Sequence, residues 1–332
     1  MRAPATNLHW INERSSRHGV TLLEQLDLDL PEERAALLTG LFATPATVSP
    51  KYFYDAQGCV LFDAICELPE YYPTRTERAI LTARRDEIAR VAGRRKQLVD
   101  LGAGDCAKAA LLMPALAPRR YVAVDIAAAA IGPALLRLTP RFPDTELIGL
   151  VTGFSQRLDL DDVIDSGPIT FFYPGSSIGN FAPELALEFL RRVRLRCSMG
   201  SGLLIGADTK KDATRLQAAY DDALGVTAAF NRNILRHVNA VAGCDFDASA
   251  FEHIAFYNVA MGRIEMHLEA RTAQRVRTGH GPRDFAAGER IHTESSYKYT
   301  PEEFQALLHR AGFLDVVQWQ DERGDFAVYY AQ

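Results

Sequence analysis

Short apolar runs in the middle of the chain alternate with amphipathic stretches. The runs predict buried strands at "QLVDLG", "YVAVDIA", "ELIGLVTG", "ITFFYPG" and "GLLIGAD". Helical periodicity marks "LPEERAALLTGLF", "AAAAIGPALLRLTPRF" and "PELALEFLRRVRLRC", and a long helix is predicted to begin near Thr74. Its buried side would carry Ile80, Leu81, Ile88 and Val91. Strands that alternate with helices are typical of an open α/β fold with a parallel sheet.

The regular alternation of strands and helices stops after "GLLIGAD". Roughly a hundred residues then precede the closing strand candidates "LDVVQWQ" and "DFAVYYAQ". This stretch is too long for one crossover and predicts an inserted substructure, with a helical part and a hairpin turning at Met261–Gly262. The helix before the closing strands is well marked. Thr300 is its N-cap, Pro301 its first residue and Glu303 the partner in a capping box, and Gly312 ends it.

These patterns predict two lobes after a flexible leader at residues 1–20. A substrate-recognition lobe would combine residues 21–75 with the insertion at 211–297. A cofactor-binding lobe would combine residues 76–210 with 298–332.

Composition excludes several classes of protein. The 332-residue chain has a net charge of −5, so it lacks the basic patch expected of a nucleic-acid-binding protein. No apolar run approaches the roughly 20 residues that span a bilayer, and the N-terminus lacks a signal-peptide core. The five cysteines have no metal-ligand spacing, which favours free thiols in a reducing cytoplasm. We therefore expect a cytoplasmic protein, monomeric and without a metal, a nucleic-acid partner or a membrane partner.

The stretch "LVDLGAGDCAK" places Gly102, Gly104 and Ala107 in a G-x-G-x-x-A pattern between a strand and a helix. Asp125 ends the next predicted strand, where a carboxylate can accept hydrogen bonds from both hydroxyls of a ribose. Together they indicate an adenosine-bearing cofactor, either NAD or S-adenosylmethionine (SAM). Asp125 as a merely solvated carboxylate and Lys108 as an ordinary surface lysine are the alternatives.

Two features favour the methyl donor. Five parallel strands with a terminal hairpin pair are the usual methyltransferase sheet. The fourth strand also runs into "FFYPGSSIGNFAP", at the position where a methyltransferase meets its acceptor. Turn chemistry explains the proline and glycine of this loop, but less easily its polar set, which is Tyr173, Gly175, Ser176, Ser177 and Asn180.

The chain closely resembles the histidine-specific, SAM-dependent methyltransferases that make hercynine for ergothioneine. The matching segments are "KYFYDAQGCVLFDAICELPEYYPTRTE", "LVDLGAGDCAK", "YPGSSIGNF", "AYDDALGVTAAFNRN", "RIEMHLEAR" and "HTESSYKYT". The resemblance implies a Rossmann-like class I methyltransferase sheet with an inserted α+β substrate-recognition lobe. It implies methyl transfer from SAM to the α-amino nitrogen of L-histidine, three times. A methyltransferase for another free amino acid, an NAD-linked oxidoreductase and a non-catalytic adenosine sensor are the alternatives.

By this resemblance the cofactor would contact Gly102, Gly104, Lys108 and Asp125, with Phe154 near its adenine. The family usually has an acidic residue before that phenylalanine, where this chain has Gly153. The contact to the adenine amino group would then pass to Ser155 or to a main-chain carbonyl.

On the substrate side the resemblance implies Tyr71, Asn180 and Tyr220 near the amino-acid backbone, with Tyr71 and Asn180 as the catalytic pair. Glu294 and Ser296 would face the imidazole, since residues i and i+2 share a face of an extended strand. Ser295, where the family often has a branched residue, would then face away; a solvated "HTESS" loop is the alternative. The same cavity would be lined by Tyr54, Phe62 and Gly175.

Overall fold

The computed structural model describes Trp10–Ile11, Val20–Gln25 and residues 30–154 and 157–332. The strands in chain order are β1 (Trp10–Ile11), β2 (Val20–Gln25), β3 (Ala46–Thr47), β4 (Gln97–Leu101), β5 (Arg120–Asp125), β6 (Glu146–Val151), β7 (Ile169–Tyr173), β8 (Gly202–Asp208), β9 (Phe251–Asn258), β10 (Arg263–Ala270), β11 (Gln274–Thr278), β12 (Gly281–Phe285), β13 (Arg290–Tyr297), β14 (Val316–Gln320) and β15 (Phe326–Ala331). The helices are α1 (Leu30–Phe42), α2 (Ala56–Cys66), α3 (Tyr72–Ala83), α4 (Arg85–Ala92), α5 (Ala107–Leu116), α6 (Ala128–Leu138), α7 (Pro183–Arg196), α8 (Ala213–Ala218), α9 (Val226–Ala242) and α10 (Pro301–Arg310).

The large sheet has the strand order β1-β2-β6-β5-β4-β7-β8-β15-β14. Its strands from β2 to β8 run parallel, and the closing pair β15 and β14 is antiparallel. β4, β7 and β8 are buried along their whole length, because helices cover both faces of the sheet. The five predicted parallel strands and the terminal hairpin are therefore confirmed, and the architecture is that of a Rossmann-like methyltransferase sheet.

A second, smaller sheet of order β3-β13-β10-β9 carries the inserted part of the chain. One of its faces is buried against α9, in a hydrophobic cluster that also takes in α1 and the segment before α3. The predicted hairpin joins β9 and β10 and turns at Gly262, whose φ of +64° suits glycine. The predicted capping box of α10 is also present, between Thr300 and Glu303.

Two details differ from the sequence-based expectation. The single long helix beginning near Thr74 is two helices, α3 and α4, because the backbone at Arg84 leaves the helical region (φ −105°, ψ 8°). The strand β2 pairs in parallel with β6, so residues 20–25 extend the large sheet rather than the leader or the substrate lobe. Its backbone pairs with the N–H and C=O groups of β6 that would otherwise be left open at the edge of the sheet. Residues 1–9 and 12–19 of the predicted leader lie outside the described residues.

Within the described part of the chain, no helix combines the length and the apolar character that crossing a membrane requires. The five cysteines carry free thiols, as their spacing predicted.

Candidate active site

The glycine loop lies at the carboxyl end of β4, just before α5. Gly102 and Gly104 have φ values of +76° and +52°, in the left-handed region that favours glycine. A Cβ on Gly102 would come within 3.7 Å of the Phe154 ring, and one on Gly104 would meet no described atom within 4 Å. The loop therefore leaves an exposed stretch of backbone that a flat ligand can approach closely.

Asp125 ends β5, next to this loop. Its carboxylate accepts hydrogen bonds from the backbone N–H groups of Gly104 (2.8 Å) and Ala127 (2.9 Å). Each oxygen keeps a further lone pair, and the side chain is only half-buried, so both oxygens can accept from a diol. Asp125 is thus held by backbone N–H groups rather than merely solvated, and its role as a ribose acceptor stays a prediction.

Phe154 follows β6 and completes this edge of the sheet. Its ring packs edge-on against Tyr173, with centroids 5.9 Å apart. Gly153 is exposed and leaves open space where a side chain would project. Ser155, the sequence-based candidate for the adenine contact, lies outside the described residues. The structure therefore brings Gly102, Asp125 and Phe154 together at the ends of neighbouring parallel strands.

Lys108 forms a largely buried ion pair. Its Nζ lies 2.6 Å from the Glu77 carboxylate, and the Glu77 side chain is 1% exposed. Both Glu77 oxygens also accept from the backbone N–H of Gly175, at 2.9 and 3.0 Å. The surface-lysine alternative is wrong. Sequence reasoning missed Glu77, whose helical position on α3 gave no sign that it faces the sheet at Gly206.

Four aromatic side chains form a continuous aromatic wall at the position expected for the substrate, which we call the substrate cavity below. Their ring centroids are 5.9 Å apart for Tyr54 and Phe62, 6.2 Å for Phe62 and Tyr71, and 6.1 Å for Tyr71 and Tyr220. Burial raises the pKa of Tyr71 well above its usual 10, so its hydroxyl stays neutral. The wall therefore offers ring faces and uncharged hydroxyl groups.

The strand β13 adjoins this wall at Tyr220 and carries two polar side chains on one face. Ser296 Oγ lies 2.9 Å from the hydroxyl of Tyr220, and the Glu294 carboxyl is 8% exposed. The intervening Ser295 projects from the other face and bonds to His292 Nε2 at 3.0 Å. The predicted alternation is thus present, and the solvated-loop alternative for "HTESS" is wrong.

A fully buried lysine lies beneath this wall. Lys298 Nζ donates to Ser296 Oγ (2.9 Å) and to the Tyr220 hydroxyl (3.0 Å), and pairs with Asp208 at 2.8 Å. Burial would raise the pKa of Asp208, yet Lys298 and Lys211 hold it below its ordinary value. Sequence reasoning missed Lys298, although it continues the i, i+2 spacing from Glu294 and Ser296.

The loop after β7 contacts the ends of β8 and β13. Ser176 Oγ accepts from the backbone N–H of Asp208, and residues Ser177–Asn180 form a 3₁₀ turn. A Cβ on Gly179 would lie 2.7 Å from the carbonyl oxygen of Tyr297, so only glycine allows this approach to the end of β13. The half-buried Asn180 and Gly175 are thereby held next to the cavity.

Electrostatic contacts join the cofactor edge to the cavity. The half-buried Tyr54 has its pKa raised first by desolvation and then by the charges of Glu294 and Asp125. Asp63 on α2 likewise interacts with Asp105 of the glycine loop. The helix α2 and Tyr54 therefore lie where the two halves of the site meet.

Comparison with known proteins shows the family. The profile described as "Histidine-specific methyltransferase, SAM-dependent" matches residues 33–332. This chain belongs to that family. It is 42% identical over 304 residues to histidine N-alpha-methyltransferase of Mycolicibacterium smegmatis, covering 90% of this chain and 94% of that protein. The Mycobacterium tuberculosis protein of the same name is 41% identical with the same coverage. Ergothioneine biosynthesis protein 1 of Schizosaccharomyces pombe is 31% identical, covering 83% of this chain and 37% of that protein.

A histidine-specific methyltransferase uses SAM, and the cofactor edge of this chain fits that molecule. The open backbone at Gly104 and the two remaining acceptor positions on Asp125 suit a nucleoside whose ribose carries two hydroxyls. The Phe154 ring supplies an apolar surface beside them. The one lysine predicted at this edge, Lys108, is paired with Glu77.

The protonation of Glu294 differs from that of an exposed glutamate. Burial raises the pKa of Glu294 to about 7, an effect that the nearby Lys298 charge opposes. In the unfolded chain the Glu294 carboxyl has its ordinary pKa of 4.5. Between pH 4.5 and about 7 the folded chain therefore binds this proton more tightly than the unfolded chain does. The contribution of Glu294 to the stability of the ligand-free methyltransferase therefore falls as the pH rises from about 4.5 to about 7.

We expect Glu294→Gln to remove this loss. The neutral amide does not ionise, so the variant should gain on the order of 3 kcal/mol relative to wild type between pH 4.5 and 8. Urea unfolding of both proteins at a series of pH values measures the difference, in which the other titrating groups cancel. Parallel stability profiles for the two proteins would show that Glu294 is ionised at ordinary pH.

Proposed function

We propose that this methyltransferase transfers methyl groups from SAM to the α-amino nitrogen of L-histidine, three times in succession, giving hercynine for ergothioneine biosynthesis. The two mycobacterial relatives carry the name histidine N-alpha-methyltransferase, and the yeast relative is named for ergothioneine biosynthesis. The observation that carries the proposal is that Glu294 lies on the same face of β13 as Ser296, whose hydroxyl pairs with that of Tyr220. The predicted cytoplasmic location and monomeric state stay predictions.

The hydrogen-bond polarity of that arrangement suits a neutral imidazole. Lys298 donates to both hydroxyl oxygens, and one hydroxyl donates to the other across 2.9 Å. Of the two hydroxyl protons, one therefore remains to be donated to a ligand. Glu294 has no hydrogen bond to the described residues, and its ionised form only accepts. One donor and one acceptor match the bare nitrogen and the N–H of an imidazole ring.

The amino-acid backbone of the substrate would lie towards Tyr71 and Asn180. The amide of Asn180 can donate to the carboxylate, and a neutral tyrosine hydroxyl can donate to the carboxylate or accept from the amine. Neutral donors hold the carboxylate without adding a cation next to the amine. Gly175, held through Glu77, would let the loop backbone approach the same group.

At the cofactor edge, Asp125 would accept from the ribose hydroxyls and Gly102 and Gly104 would let the backbone approach. Phe154 and the open position at Gly153 would flank the adenine. Lys108 would act through its pair with Glu77, which fixes the loop at Gly175 between cofactor and substrate. SAM supplies an electrophilic methyl group on a sulfonium ion.

The task of the chain is then alignment of the amine with that methyl group. Holding two reactants in line can contribute roughly 7–11 kcal/mol, so a strong general base is not required once the amine has lost its proton to water. The rings of Tyr54, Phe62 and Tyr71 face the position where positive charge grows on nitrogen. A cation over an aromatic face gains about 0.5–2 kcal/mol, which favours the methylated products and further rounds of transfer.

Mass spectrometry of the products tests this function. The purified chain is incubated with SAM and each of the twenty amino acids in turn, and the expected result is trimethylated histidine as the main product. A methylated product from another amino acid, with none from histidine, would favour the alternative of a different acceptor. Release of S-adenosylhomocysteine without any methylated amino acid would contradict the proposal.

We expect Asp125→Ala to weaken SAM binding at least about tenfold, because hydrogen bonds to a charged group contribute roughly 1.5–3 kcal/mol. Isothermal titration calorimetry measures the affinity, and circular dichroism checks the fold. Asp144→Ala is the matched control, since this exposed aspartate precedes β6 outside the site. Equal SAM affinity in a folded Asp125→Ala variant and in wild type would remove Asp125 from the cofactor site.

A further inference from the structure

A second polar cluster lies on the face of the small sheet opposite the substrate cavity. It consists of Glu265 and His267 on β10 and His292 on β13, and its possible metal-ligating atoms all lie within 4.8 Å of one another. Glu265 is 7% exposed and the His267 side chain 12%. The cluster therefore combines two imidazoles and a carboxylate in a largely buried, partly accessible place.

The carboxylate of Glu265 is oriented by its neighbours. Its Oε1 accepts from Arg263 Nε (2.8 Å) and from the amide of Asn258 (2.9 Å). Its Oε2 is thereby directed at His267 Nε2, 3.0 Å away. Carboxylates that bind metals are commonly held in this way by hydrogen bonds to the oxygen that does not face the ion.

The two imidazoles are oriented as well. His267 stacks on Phe256 with ring centroids 5.5 Å apart and planes inclined by 3°. The His292 ring lies 5.0 Å from the His267 ring in an edge-on arrangement, and its Nε2 meets Ser295. The β-bulge at Met266/His267 makes His267 and His292 direct neighbours across the two strands. Sequence spacing alone gives no hint of this cluster, since 25 positions separate the two histidines.

Two nitrogens and one carboxylate oxygen are the donor set of borderline divalent ions such as Zn²⁺, Co²⁺ and Ni²⁺. Ligands about 2.0–2.2 Å from a tetrahedral Zn²⁺ lie roughly 3.3–3.6 Å apart, so closing the cluster takes a shift of about one ångström. The half-exposed His292 can make that shift by side-chain rotation. Water can supply the remaining position.

We propose that Glu265, His267 and His292 bind one divalent transition-metal ion of the Zn²⁺ class on the outer face of the small sheet. The ion ties β10 to β13 at the bulge that precedes Glu294. The proposed metal site and the substrate cavity both use the strand β13, but none of the three metal-binding residues belongs to the substrate cavity. The occupancy of the metal site is therefore independent of SAM and of histidine.

Titration of the full-length, untagged chain with ZnCl₂ tests the site, after treatment with a chelator and dialysis, in the absence of SAM and histidine. Calorimetry should give one Zn²⁺ per chain, and CoCl₂ should give the visible absorption of cobalt bound by nitrogen ligands. Zn²⁺ should also raise the melting temperature, since an ion that binds only the folded chain stabilises it. Absence of saturable binding would overturn the proposal, whatever the result of the methylation assay.

Variants locate the ion. His267→Gln and His292→Gln should each weaken Zn²⁺ binding at least about tenfold. His309→Gln, an exposed histidine on α10, is the matched control and should bind as wild type does. If circular dichroism shows that His267→Gln does not fold, Zn²⁺ binding by His292→Gln tests the site, because His292 is half-exposed. Wild-type affinity in a folded His292→Gln variant would overturn the assignment.

Discussion

Replacing Glu294 by alanine should remove most of the preference for histidine over phenylalanine. A site built to hydrogen-bond a substrate group rejects analogues without that group by about 10⁴–10⁵. In wild type an apolar side chain would leave the buried Glu294 carboxylate and one hydroxyl of the Ser296–Tyr220 pair without partners. We therefore expect the ratio of kcat/KM values for the two amino acids to fall at least about a hundredfold in Glu294→Ala. Methylation rates for both amino acids measure this ratio.

Ser295→Ala is the control for this experiment. Its side chain lies on the opposite face of β13, so both selectivity and rate should stay close to those of wild type. SAM affinity should be unchanged in both variants, which separates a selective loss at the imidazole from general damage to the site. Equal rates of wild type on histidine and phenylalanine would refute the role given to Glu294.

Replacing Lys298 by methionine should cost about 3–5 kcal/mol of folding stability. Methionine keeps the length of the side chain but removes one of the two lysine partners of the Asp208 carboxylate, which is 0% exposed and keeps only Lys211. It also removes the hydrogen bonds from Lys298 to Ser296 and Tyr220. Breaking a buried ion pair by removing one partner has a cost of about this size. The free energy of unfolding in urea measures it. The hydroxyls of Ser296 and Tyr220 should also lose their fixed polarity, so discrimination among amino acids should decrease.

Lys210→Met provides the matched comparison, because Lys210 also pairs with an acid, Glu303, but both side chains are about 34–46% exposed. Exposed pairs contribute about 0–1 kcal/mol, so this variant should lose little. A loss in Lys298→Met no larger than in Lys210→Met would contradict the buried-network argument.

Local patterns carried the prediction of the large sheet and of the cofactor edge. The parallel strands are short apolar runs because both faces of the sheet are covered by helices, so they can be recognised from the sequence alone. The positive-φ turn at Gly102 and the strand-end position of Asp125 are likewise properties of consecutive residues. The spacing of Glu294 and Ser296 placed them on one face, because alternation along a strand is a local rule.

Other contacts depend on which elements meet in space. Whether Thr74 opens one helix or two was decided by the backbone at Arg84, and β2 joined the large sheet because the edge of β6 was available.

The amino-acid sequence by itself determined the fold class and the family, and it predicts which side chains meet an adenosine-bearing cofactor and an imidazole. Only the tertiary structure decided that Lys108 is paired with Glu77 and that Lys298 joins Asp208 to the hydroxyls of the cavity. Both pairs link residues far apart in the chain. Burying a charge costs free energy unless the charge is paired, and the partner is supplied by whichever element packs against it in the folded chain.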